Sequence, residues 1–440
     1  MTETSNQHTY DLDRSYVFHS WSAQGALKPL VIAGGQGTEL WDYEGNRWLD
    51  FSSQLVNVNI GHLHPKVVKA IQEQAEVLPT INPAHANLAR GKAAKHIVQK
   101  AGAPFEKVFF TNGGADAIEN AIRMARLVTG RDKVLSTYRS YHGNTGAAIN
   151  ATGDWRRMPN EFARGHVHFW GPFPYRSEFW SDSPEQETER TLQHLEHTIL
   201  AEGPQTIAAI LLESVPGTAG IFPPPPGYLQ GVRELADRYG FLWIADEVMA
   251  GFGRTGTWFA WQSPEVNPTR AVPDLITFAK GVNSGYVPVG GVIIRESIAH
   301  AFDERVFPGG LTYSGHPLAA ASIVATIEAM EEEGVVEHAD RIGREVLGPG
   351  LRELAERHPI IGDVRGLGVF WALDLVTDRA TKEPVPASVI NEIKAELVQR
   401  GLLPFTAENR IHVVPPCNVT EDEVRRALEI YDAALTALGH

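Results

Sequence analysis

The stretch FLWIADEVMAGFGR, residues 241–254, is an apolar run that ends in two acids, Asp246 and Glu247. Phe241–Val248 is predicted as a strand. Its apolar residues do not alternate with polar ones, so both of its faces must be covered. Just upstream, Tyr228–Tyr239 has helical spacing, and Ile207–Ser214 is another continuous apolar run. The alternation continues outward in both directions. Strands are predicted at Lys107–Thr111, Lys133–Tyr138, His166–Trp170, Leu275–Lys280 and Gly291–Arg295, and a helix over Ala115–Arg126 places Ile118, Ile122 and Ala125 on one face. Strand and helix in alternation imply a doubly wound, mainly parallel α/β sheet.

Beyond this core the pattern changes. Pro317–Glu333 reads as a long helix stopped at Gly334, with Ile323, Ile327 and Met330 on one side. A second helix through Arg357, a tight turn at Arg365–Gly368, a strand Val369–Leu375, a helix Ala387–Arg400 and a strand Ile411–Val414 follow. The last helix is announced by Thr420 with Glu423 three places on, a capping-box signature. Near the other end, Gly37–Phe51 reads as a hairpin turning at Asp42–Asn46. Residues 71–325 are therefore assigned to a large domain, and residues 1–70 and 326–440 to the two parts of a smaller α+β domain.

Composition narrows the function. A chain of 440 residues with 43% apolar and 21% charged residues is an ordinary globular one that needs neither disulfide nor metal to fold. A formal charge of −14 argues against nucleic acid as a partner. The single cysteine, Cys417, rules out an internal disulfide and a Cys-rich zinc site, and it fits a reducing compartment. Met1–Tyr10 is polar and lacks the plan of a signal peptide, and no apolar run is long enough for a membrane span. The expectation is a cytoplasmic enzyme with small-molecule substrates and no membrane partner.

Ligands of open parallel sheets lie at the carboxyl ends of the strands. Five predicted strand ends deliver Gly113-Gly114-Ala115 at a helix start, Tyr141-His142-Gly143, Glu213, the pair Asp246-Glu247, and Lys280. Two glycines at a strand-to-helix turn suit an anion, because free N–H groups and the helix dipole face it. The loop is neither a Walker A sequence nor a full GxGxxG fingerprint, so ATP and NAD are not supported. Each element alone has a plain structural reading as a tight turn, a salt bridge or a solvated lysine. Together they meet the needs of pyridoxal phosphate: an anion nest, a lysine for a Schiff base, a carboxylate to keep the pyridine protonated and an aromatic ring to stack.

The segments Phe109–Glu119 (FFTNGGADAIE), Tyr141-His142-Gly143, Ala245–Arg254 (ADEVMAGFGR), Thr277–Val282 (TFAKGV) and Thr312–Pro317 (TYSGHP) resemble those of class III aminotransferases, which are fold-type-I pyridoxal-phosphate enzymes. The similarity runs from about Trp41 to Val413-Val414-Pro415-Pro416. The resemblance implies that Lys280 carries the cofactor and moves the proton at the substrate carbon. It also implies that Asp246 pairs with the pyridinium nitrogen, Val248 packs beneath the ring, Tyr141 stacks above it and Glu213 joins the surrounding polar network. Gly114 and Ala115 would hold the phosphate, and Thr312 would reach the phosphate of a neighbouring subunit, which makes a homodimer the expected unit.

Some positions depart from the pattern. Ala115 stands where many members have serine, Val56 where amine-directed members often have tryptophan, and Phe405 where a carboxylate-binding arginine often stands. Arg410 is either a replacement guanidinium or a strand-end residue, and Trp21 with Phe405 is expected to reclaim part of the space left at Val56. The implied reaction is ping-pong transfer of an amino group from an ω-amino acid, a taurine-like compound or a primary amine to pyruvate or 2-oxoglutarate. An amino-alkyl phosphate lyase of the same family, or a non-catalytic α/β regulator, are the alternatives. His62 with His64, His166 with His168, and Cys417 are read as structural.

Overall fold

The computed structural model describes residues 4–440; Met1 to Glu3, the start of the polar stretch read above, lie outside the described residues. Seven strands form the larger sheet, in the order Phe105–Thr111, Gly290–Arg295, Leu275–Phe278, Leu242–Asp246, Ile207–Glu213, Lys133–Thr137, His166–Phe169. All neighbours are parallel except Gly290–Arg295, which runs against both of its own. The apolar runs are explained by cover on both faces. Ile207–Glu213 is buried throughout: Ala209 and Leu211 share a core with Ile118 and Ile122 of the Gly114–Thr129 helix, and Ile210 shares one with Leu195, Leu229 and Val232 on the other side. Parallel register brings Glu213 opposite Asp246, and Asp246 opposite Thr277. Three strands therefore end level, and the chemistry-bearing residues emerge along one rim.

The second sheet joins the two ends of the chain. Its order is Gly34–Gln36, Glu39–Trp41, Arg47–Phe51, Leu402–Ala407, Arg410–Val413, Phe370–Asp378, Ile361–Leu367, with Glu383–Pro384 pairing off this path. Leu402–Pro404 lies parallel to Leu49–Phe51. The helices Gly348–Arg357, Ala387–Gln399 and Glu421–Ala437 contribute Leu351, Leu354, Ile393, Leu397, Tyr431 and Leu435 to a core with Leu373, Leu375, Ile411 and Val413. The hairpin turn is an Asx turn, in which Asp42 Oδ1 accepts from the amides of Glu44 and Asn46, each at 2.9 Å. Thr420 and Glu423 form the expected capping box.

Two local readings are corrected. Arg365–Leu367 belongs to the Ile361–Leu367 strand, and the turn is confined to Gly368, at φ +55°, and Val369, before the Phe370–Asp378 strand. A Cβ on Gly368 would lie 2.5 Å from the Thr255 carbonyl carbon, so the backbones meet there. The helix read as ending at Arg357 is interrupted by a π-helical segment over Gly343–Leu347, where a Cβ on Gly343 would collide with the Gly368 oxygen.

Candidate active site

The strand ends frame a cleft of about 330 Å³. Of the residues singled out in the sequence, Trp21, Gly114, Ala115, Tyr141, Glu213, Asp246, Val248 and Lys280 line it. Asp246 is buried at the tip of its strand, where Oδ2 is 2.7 Å from His142 Nδ1 and Oδ1 accepts from Val248 N at 3.0 Å and Thr277 Oγ1 at 3.4 Å. Its neighbour Glu247 alternates to the opposite side and accepts from the amides of Ala260 and Trp261 at 2.8 and 2.9 Å. Glu247 therefore ties down the loop that follows, and burial pushes its carboxyl up to about 7. Glu213 accepts from Tyr141 N at 3.1 Å and Gly217 N at 2.8 Å, and burial raises it above the usual carboxylate range.

Lys280 leaves the Leu275–Phe278 strand at φ +48°, a left-handed conformation that costs a non-glycine residue about 1–2 kcal/mol. That turn directs it into the cleft, where burial lowers its ammonium to about 8 against the opposing pull of Asp246 and Glu213. The rim opposite is glycine-built. A Cβ on Gly114 would lie 2.9 Å from Val248, and one on Gly143 would lie 2.5 Å from the Ala115 Cβ. The backbone N–H groups at the start of the Gly114–Thr129 helix are thus left open to an anion.

Other expected residues lie elsewhere. Thr312 is exposed on the single chain and does not line the cleft. Val56 is 1% exposed and belongs to an apolar cluster with Ile221, Phe370 and Val414, against which Phe405 packs. What turns Val56 inward is a single left-handed turn, with φ of +44° to +63° from Ser53 to Val56, held by Ser53 Oγ donating to Val414 O at 2.6 Å and Gln54 Nε2 donating to Asp50 at 3.2 Å. Arg410 is buried at a strand start and ion-paired with Glu408, away from the cleft lining. The paired histidines are dispersed: His62 sits 2.9 Å from Asp50, His64 2.8 Å from Glu333, and His168 3.1 Å from the Thr152 carbonyl. Among the described residues no group of three or more His, Cys, Asp or Glu is placed to hold a metal ion. Burial raises the thiol of Cys417.

Two residues of the site had been given no role in the sequence. His142 was visible beside Tyr141, and only the structure pairs it with Asp246. Arg156 carried no signal, and its guanidinium lies 3.6 Å from the centre of the Tyr141 ring.

An anion cradle, an amine of lowered basicity, a buried carboxylate backed by imidazole and an aromatic ring in one cleft suit pyridoxal phosphate by the chemistry of the donor set. The Aminotransferase class-III family matches residues 21–435. The chain belongs to the class III aminotransferases. A taurine–pyruvate aminotransferase of Rhodobacter capsulatus is 32% identical over 97% of this chain and 96% of its own. A 5-aminovalerate aminotransferase of Pseudomonas aeruginosa is 34% identical over 92% and 93%. Among solved structures, the taurine:2-oxoglutarate aminotransferase of Bifidobacterium kashiwanohense, in complex with pyridoxal phosphate and glutamate, superposes with a TM-score of 0.94 at 43% identity, covering 100% of this chain and 99% of that one. This aminotransferase is a pyridoxal-phosphate-dependent enzyme of fold type I. Among the described residues, no helix is long and apolar enough to cross a membrane.

The lowered amine has a measurable consequence for the aminotransferase. Neutral lysine attacks an aldehyde and ammonium does not, so a group at about 8 reacts over a pH range where an ordinary lysine near 10.5 stays protonated. The rate at which cofactor-free protein takes up pyridoxal phosphate is expected to rise with pH through about 8 and to level off roughly one unit above that. Cofactor absorbance follows it directly. A rate still climbing toward pH ~10 would place an ordinary solvated amine at this position.

Proposed function

We propose that the aminotransferase takes the amino group of a small ω-amino acid or taurine-like amine and delivers it to pyruvate or 2-oxoglutarate, working as a cytoplasmic homodimer. The observation that carries this reading is the lowered Lys280 amine sharing one cleft with buried Asp246 and the open N–H groups beside Gly114. The relatives' donors and acceptors support the choice of substrates.

When bound, pyridoxal phosphate supplies an electron sink for the bond broken at the amine-bearing carbon. Gly114 and Ala115 would hold its phosphate through their N–H groups, and Val248 and Tyr141 would flank its ring. Asp246 would face the pyridine nitrogen and hold its proton. His142 keeps that carboxylate in place. Lys280 would carry the cofactor, and its Nζ would take the proton from the amine-bearing carbon of the substrate and later give it back as the acid. Glu213 fixes the Tyr141 backbone and so the height of its ring. Thr312, exposed on one chain, would reach the phosphate held by the partner subunit in the homodimer.

The test is a pair of half-reactions. Taurine, β-alanine or 4-aminobutyrate added to holoenzyme without a keto acid is expected to bleach the resting cofactor colour. Pyruvate or 2-oxoglutarate should then restore it, with the aminated product appearing in equal amount. Release of inorganic phosphate from an amino-alkyl phosphate with no acceptor present would make the protein a lyase instead.

A further inference from the structure

The strands Leu242–Asp246 and Leu275–Phe278 run side by side as far as Asp246 and Thr277, and there their chains part. The first continues through Glu247 into a loop that passes Phe252, at φ +57°, and Arg254; the second turns at Lys280. Asn59, 1% exposed, lies between the two. Its Nδ2 donates to Phe252 O at 2.7 Å and reaches Gly251 O at 3.5 Å. On its other side it rests on Gly281, the residue after Lys280, where a Cβ would collide with Nδ2 and lie 2.9 Å from Cγ. One carboxamide therefore touches both the loop leading from Asp246 and the backbone beside Lys280.

A buried cation fixes that carboxamide. Nη2 of the fully buried Arg254 donates to Asn59 Oδ1 at 2.8 Å, and its Nη1 donates to Pro415 O. A guanidinium only donates, so the end of Asn59 that meets it is the oxygen, and the NH₂ faces Phe252 and Gly281. The backbone is tied as well: Asn59 O accepts from Cys417 N at 2.7 Å, and the Ile60 amide donates to Ser284 Oγ at 3.0 Å. Asn59 does not line the cleft, so any influence it has there passes through the backbone it touches. The geometry points to Asn59 as a positioning residue for Lys280: wedged between Gly281 and Phe252, its carboxamide sets the left-handed turn that aims the lysine into the cleft. This rests on Lys280 as the residue that takes up the cofactor.

The left-handed conformation of Lys280 persists only where its surroundings hold it. Glycine at position 281 lets the amide plane approach closer than any side chain would allow, and a shift at that contact carries the lysine nitrogen with the backbone. Misplacing a reacting group by about 1 Å costs on the order of a hundredfold in rate. A purely structural role is the competing account: Asn59 would satisfy buried polar groups, and its loss would loosen the cleft for every ligand alike.

The experiment compares two ligands on the full-length protein stripped of cofactor, in wild type, Asn59→Ala, Gly281→Ala and the double variant. Pyridoxal phosphate bonds to the lysine nitrogen through its aldehyde carbon, with loss of water. Pyridoxamine phosphate has no aldehyde and binds without that bond. At pH ~9, above the value of about 8 at which the Lys280 ammonium loses its proton, differences in rate report placement rather than charge. Asn59→Ala and Gly281→Ala are each expected to slow covalent uptake at least about tenfold, while affinity for pyridoxamine phosphate stays within about threefold. The double variant should be no slower than the slower single one, because both changes act on one contact. Either single variant decides if the other does not fold. Wild-type uptake in either, equal losses for both ligands, or losses that multiply in the double variant overturn the role of Asn59. Covalent uptake by Lys280→Ala at the wild-type rate overturns the reading of Lys280 itself.

Discussion

Lys280→Ala is expected to abolish transamination, with a loss of at least ~10³-fold, because the proposed mechanism gives this one side chain both the attachment of the cofactor and the movement of the proton. No neighbour can replace it. Among the described residues lining the cleft it is the one lysine, and Arg156 beyond Tyr141 carries a guanidinium that does not give up its proton. The fold should survive the change. The left-handed backbone at position 280 is set by its surroundings, and alanine tolerates it no worse than lysine does. Removing an amine that burial has already pushed down to about 8 relieves a desolvation cost, so thermal unfolding should occur at no lower temperature than in wild type. The variant should still bind pyridoxal phosphate non-covalently through the amides beside Gly114, with the spectrum of the free aldehyde. Single-turnover assays against taurine and pyruvate, read beside that spectrum, separate lost chemistry from lost cofactor. Turnover within tenfold of wild type would move the reaction centre to another residue.

Lys280 and Asp246 were legible for a physical reason. A strand buried on both faces must be apolar, so a charged residue where the run stops is conspicuous, and parallel register then gathers such residues on one rim. The same logic located Glu213 and misplaced nothing in the larger sheet by more than about two residues at its ends. Contacts made across long sequence separations were not legible. Leu402–Ala407 contains Pro404, which argues against a strand, yet it pairs in parallel with Leu49–Phe51 at the far end of the chain. The inward turn of Val56 rests on four consecutive left-handed residues, Ser53, Gln54, Leu55 and Val56, none of them glycine or asparagine. Nothing in their local propensity announces that conformation. Anchors on Asp50 and Val414 help to hold it, so the side chain expected at the substrate wall packs in a core instead. Arg156 was hidden in the same way, because its place depends on how a polar loop returns over Tyr141.

Asp246→Asn is expected to keep the fold and lose at least about a hundredfold in turnover, the scale of removing a charge-stabilising partner from a buried site. The hydrogen bonds at Asp246 make the change more severe than a swap of like shapes suggests. Both carboxylate oxygens are engaged, Oδ2 with His142 Nδ1 at 2.7 Å and Oδ1 with the Val248 amide at 3.0 Å. An amide has one oxygen and one NH₂ group. If the oxygen stays with Val248, the NH₂ faces His142 and forces Nδ1 to become an acceptor, which moves the imidazole proton to the other nitrogen. If the oxygen turns to His142, the NH₂ meets the Val248 N–H head-on, and a buried donor is orphaned at a cost of about 1–3 kcal/mol. Either way the pyridine nitrogen would lose the carboxylate proposed to face it, and the electron sink would weaken. Cofactor content should change far less than turnover, because the proposed phosphate site lies at the Gly114 end of the cleft. The deficit should also persist across pH, since no titration restores a charge to an amide. A measured kcat within twofold of wild type, with cofactor fully bound, would mean that the proton on the pyridine is held by something other than Asp246.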